Sequence, residues 1–133
     1  MFTVIILIKE KLSDMVKKKE KRPAGFIYNA EVLRVVDGDT FELKIDLGFR
    51  IVHENTFRLY GVNTPETRGK ERPKGLKVKE YVKKLIEGKM IVVETFKKGK
   101  FGRYVSEIYL GKGKRKPLSR HLLRKRMAKK VDY

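Results

Sequence analysis

The run Phe41-Glu42-Leu43-Lys44-Ile45-Asp46 alternates apolar and charged side chains without a break, just after an Asp37-Gly38 pair. A period of two belongs to a strand with one face in a core and the other in water. Asp-Gly is a strong hairpin signal because the pair tolerates positive φ. A hairpin therefore anchors the chain. Before it, Tyr28, Ala30, Val32 and Val36 share a face, with Arg34 breaking the pattern. After it, Gly48 marks a turn, and residues 49–52 and 56–62 form a third strand or a bent pair. Asn63-Thr64-Pro65 ends that strand, since proline has no amide to donate.

The period then changes. Residues 67–75 read as a polar loop, and Val78, Tyr81, Val82, Leu85 and Ile86 recur at helical spacing up to a stop at Gly88. Residues 90–96 and 103–110 read as two further strands. Pro117 opens a short helix carrying Leu118, Leu122, Leu123 and Met127. Three strands, a helix, two strands and a helix predict an α+β, mainly β fold: a five-stranded OB-fold barrel of antiparallel-type strands with two helices packed on it. Residues 1–22 form an N-terminal appendage, apolar and then basic, ahead of a domain spanning 23–133. The apolar run from Phe2 to Ile8 is far shorter than the roughly 18 residues of a membrane span. It also lacks the marks of a secretory signal, so a cytoplasmic monomer without stable membrane insertion is expected.

Charge narrows the partner. Lys and Arg number 34 against 16 Asp and Glu, a net charge of +18 in 133 residues. Such a field concentrates polyanions, nucleic acid first and an anionic membrane surface second. A lysine-rich solvated surface is the bland alternative. With no cysteine, thiolate chemistry and Cys-ligated zinc are excluded, and two distant histidines make a His-rich metal site improbable. Any metal would be oxygen-ligated, of the calcium or magnesium class.

In so basic a chain, carboxylates set in turns stand out. Asp39 follows a tight turn, where its carboxylate would face out at the barrel rim. Asn63 and Thr64 end another strand, so their oxygens could meet Asp39 across the sheet. Pro65 limits the freedom of the turn carrying Glu66, and Arg58 lies on a strand among apolar neighbours. Phosphodiester hydrolysis needs charge neutralisation, a clamp on phosphate and a proton acceptor for water. Arginine's planar fork suits the clamp. The residues also permit a plain reading, with Asp39 bonded to nearby amides and Arg58 bridged to Glu66.

The ordered set Val36-Asp37-Gly38-Asp39-Thr40, Thr56-Phe57-Arg58-Leu59, Val62-Asn63-Thr64-Pro65-Glu66-Thr67 and Phe101-Gly102-Arg103 resembles the staphylococcal nuclease (thermonuclease) family over about residues 30–128. The resemblance implies an OB barrel and calcium-dependent endonuclease cleavage of DNA or RNA, leaving 3′-phosphate ends. It implies Asp39, Asn63 and the Thr64 carbonyl as the metal site, and Arg58, Glu66 and Arg103 as catalytic residues. Lys100 and Phe101 correspond to a basic and aromatic pair that contacts the nucleotide's other phosphate. A single-stranded substrate is expected, and a non-catalytic or weakly active single-stranded nucleic-acid-binding module is the alternative.

Three departures qualify the likeness. Asn63 stands where the best-known members carry a second calcium-ligating aspartate, so calcium affinity should fall. The family's final long helix has no counterpart before Tyr133, and Asp132 stands where a base-pocket tyrosine is expected. Arg126 replaces a glycine usual after the second helix, so that helix is expected to run further.

Overall fold

The structure, a computed structural model, describes residues 25–98, 103–111 and 116–131. The appendage 1–22, Lys100, Phe101 and Asp132 lie outside the described residues. Strands β1 (Phe26–Asp37), β2 (Thr40–Asp46), β3 (Val52–Leu59), β5 (Met90–Lys98) and β6 (Tyr104–Tyr109) close a barrel in the order β1-β2-β3-β6-β5. Four of its pairings are antiparallel, but β3 and β6 run parallel (Phe57↔Tyr104, Arg58↔Val105). The expectation of purely antiparallel strands is corrected there. Helix α1 (Arg72–Ile86) and then β5 lie in the long connection from β3 to β6 that a parallel pair requires.

Alternation does what the sequence says in β2: Phe41, Leu43 and Ile45 are buried while Glu42 and Lys44 are half-buried and Asp46 is exposed. In β1 it fails. The register slips between Val32 and Arg34 and again between Val35 and Asp37, so Val35 turns into the core and Val36 is only half-buried. An extra residue on one strand reverses the faces beyond it. The core joins these strands to Val78, Val82 and Ile86 of α1 and to Leu118 and Leu122 of helix α2 (Leu118–Arg124). Burial of side chains this size gives roughly 1.5–3 kcal/mol each. Leu123 stays largely outside it, at 36% exposure.

Two turns work by means the sequence did not reveal. Gly38 has no positive φ. It is needed for space: a Cβ there would lie 2.6 Å from Val78 Cγ1 and 3.0 Å from the Thr64 side chain. Arg126 does not extend α2, which ends at Arg124. Instead Arg126 takes a left-handed conformation (φ 58°), the place a glycine would fill. Beyond it, β7 (Lys129–Lys130) pairs with β4 (Val62–Asn63) in a small sheet outside the barrel. No described helix is long and apolar enough to cross a membrane.

Candidate active site

Asp39 occupies the corner between β1 and β2, where Asp37 pairs with Thr40 and leaves Gly38-Asp39 as the loop. Rather than facing outward at the rim, Asp39 is 6% exposed. Burial of a carboxylate is costly unless its oxygens are bonded, and these are. Oδ1 accepts from the Thr40 hydroxyl (3.1 Å), and Oδ2 accepts from the Thr64 amide (3.0 Å). Arg58 Nη1 lies 3.4 Å from the same Oδ2. The register Thr40↔Arg58 brings the arginine there, one strand over from Asp39. Arg58 is therefore held by Asp39, not by Glu66.

Arg103 immediately precedes β6, the strand that pairs in parallel with β3 at Arg58↔Val105. Asp39, Arg58 and Arg103 thus come from three successive positions around the barrel. Arg103 is half-buried, with its Nε fully enclosed. Thr64 does meet Asp39, but through its amide hydrogen. Its Oγ1 is buried and has no hydrogen-bond partner among the described residues. Asn63 is exposed and its backbone pairs with Lys129 of β7.

Glu66 is exposed and lies between two clefts. One, of about 430 Å³, is walled by Lys70, Lys74, Arg126 and Lys129; the other, of about 390 Å³, by Asp37, Arg68 and Lys79. Three contacts fix the backbone beneath it. The Glu66 amide donates to Glu71 Oε2 (3.0 Å), and the Thr67 hydroxyl donates to Asp37 Oδ1 (2.9 Å). The third is Gly75, whose missing side chain lets α1 lie against the Pro65 and Glu66 carbonyls. Asp37, Glu71 and Gly75 were not among the expected site residues. Gly75 falls within the polar loop expected over 67–75, yet it stands in the first turn of α1, where a missing side chain permits close approach. Arg34 also lines the second cleft, yet it bonds Glu42 at 2.5 Å, which holds the Glu42 carboxyl below its usual range. Its charge is already engaged.

The oxygen atoms that the structure brings to this corner are the Asp39 carboxylate, whose Oδ2 is already engaged by Arg58 and the Thr64 amide, and the buried, unpartnered Oγ1 of Thr64. That chemistry fits a hard cation of the calcium class. It is a weakly charged set, since no group of three His, Cys, Asp or Glu suited to a metal forms among the described residues.

No curated protein matches the chain. A family model does: the one described as staphylococcal nuclease homologue matches residues 56–133, more than half of the sequence.

Proposed function

The chain belongs to the staphylococcal nuclease family, and from that premise we propose that it is a calcium-dependent nuclease hydrolysing phosphodiester bonds of DNA or RNA. The observation that carries the proposal is the contact of Arg58 and Thr64 with the buried Asp39, with an exposed Glu66 two residues along the chain from Thr64 on a braced turn. Arg58 and Arg103 clamp the phosphate oxygens and stabilise the charge that grows on them in the transition state. Glu66 accepts a proton from water, whose oxygen attacks phosphorus. The bond to the 5′-oxygen breaks, that oxygen takes a proton from solvent and leaves as a 5′-hydroxyl, and a 3′-phosphate end remains. Asp39, Asn63 and the Thr64 carbonyl would hold the calcium ion, which supplies neutralisation of the phosphoryl oxygens. Lys100 and Phe101 are assigned to the neighbouring phosphate of the nucleotide.

The test is incubation of end-labelled single-stranded DNA and RNA with calcium or with a chelator. Fragments bearing 3′-phosphates with calcium, and none with chelator, are expected. Calcium-independent cutting would contradict the proposal. A second reading, a strand-binding module with little catalysis, is favoured by Asn63 and by the ion pair that already engages Asp39 with Arg58. Asn63→Asp separates the two: a gain of tenfold or so in cutting at limiting calcium marks an attenuated nuclease. No gain, from a protein that binds strands tightly, favours the module.

A further inference from the structure

The exposed cleft on the Glu71 side of Glu66 is bounded by more positive charge than the fold requires. Lys70 comes from the short 3-10 turn Gly69–Glu71, Lys74 from the start of α1, Lys129 from β7, and Arg126 from the turn between α2 and β7. Glu66 and Glu71 line the same cleft, yet none of the four cations forms an ion pair among the described residues. Like charges gathered on one concave wall without partners repel each other, and an anion between them relieves that repulsion.

Arg126 adds an independent observation. Its amide donates to Leu123 O (3.1 Å), and the next amide, of Met127, donates to Leu122 O (2.9 Å). This pair of bonds closes a helix through a left-handed residue, for which glycine is suited and a side chain is strained. The helix dipole gives no reason for the arginine, because His121 and Arg124 already occupy the last turn. Backbone strain held at the wall of a cleft points to use of the side chain there. The Asn63↔Lys129 pairing then fixes this wall beside Thr64 and Glu66.

We infer that this cleft is a further phosphate subsite, which takes a phosphate of the bound nucleic-acid strand other than the scissile one and the neighbour assigned to Lys100 and Phe101. The inference deepens the nuclease reading and rests on it only for which phosphate is cut. A volume of about 430 Å³ lies within the range of small-molecule sites, enough for one nucleotide.

The experiment uses the full chain and fluorescence anisotropy with a labelled single-stranded DNA oligonucleotide over a salt series, in chelator so that no strand is cut. Arg126→Gly suits the backbone, so its melting temperature should equal or exceed that of the parent. Its affinity should fall about fivefold to tenfold at low salt, with the slope of log K against log salt shallower by about 1. Lys74→Gln and Lys129→Gln should each act in the same direction. A strand with one methylphosphonate, scanned along its length, should bind the parent more weakly at one position and leave Arg126→Gly indifferent there. Unchanged slope and affinity in Arg126→Gly would overturn the subsite. Because binding is read without divalent ions, failure to cut DNA would sink the nuclease reading and leave this result standing. Calcium-dependent cutting with an unchanged slope would sink the subsite alone.

Discussion

A Cβ placed on Gly75 would stand 2.1 Å from the Glu66 carbonyl oxygen and 2.8 Å from that of Pro65. Both neighbours are backbone, so only movement of the 65–66 turn can make room. Gly75→Ala should therefore cost about 2–3 kcal/mol of stability in denaturant unfolding. It should also lower cleavage in the protein that remains folded, because Glu66 rides on the displaced turn. Full activity in a folded Gly75→Ala protein would show that the turn does not fix Glu66. The role proposed for Arg103 is of a different kind, geometry at the phosphate. Lysine keeps the charge but loses the planar fork, so Arg103→Lys should slow single-turnover cleavage about a hundredfold with little change in melting temperature.

Among elements, α2 is held by contacts that the sequence conceals. Glu107 of β6 is 1% exposed, and it accepts from the Ser119 amide (3.1 Å) and hydroxyl (2.5 Å). A strand carboxylate thus caps the start of a neighbouring helix, where negative charge is favourable. Tyr81 and His121 share a 2.7 Å hydrogen bond and stack, tying α2 to α1. Glu107→Ala leaves buried donors without an acceptor and should cost about 2 kcal/mol, measured as a shift in urea midpoint. An unchanged midpoint would mean that the cap contributes nothing. The same division explains what could be read in advance. Regular periodicity disclosed β2, α1 and the barrel, since burial on one face imposes it. Asp39, Arg58 and Thr64 were legible as candidates, because polar residues beside apolar strand positions need partners. The β1 bulge, the parallel β3–β6 pairing and the β4–β7 sheet were not, because each depends on which distant segment is adjacent. Gly38 and Arg126 failed for a related reason: a residue name gives its range of φ, while the neighbours decide whether space or conformation is at issue.

At the scale of the whole molecule, a net charge of +18 makes association with nucleic acid an ion-exchange process. Binding of single strands should weaken steeply with salt, with a slope of several units in log K against log salt. A slope near zero would confine the charge to keeping the protein soluble. Charge by itself, however, does not distinguish a binder from a nuclease, because both need phosphate contacts. The proposed distinction lies in one exposed carboxylate, Glu66, on a braced turn two residues beyond Thr64, which bonds Asp39. The most direct measurement is single-turnover cleavage of single-stranded DNA by the parent and Glu66→Gln in saturating calcium, with strand affinity measured alongside. The account predicts a rate at least about a hundredfold lower for Glu66→Gln at nearly unchanged affinity; equal cleavage rates for the two proteins would contradict it.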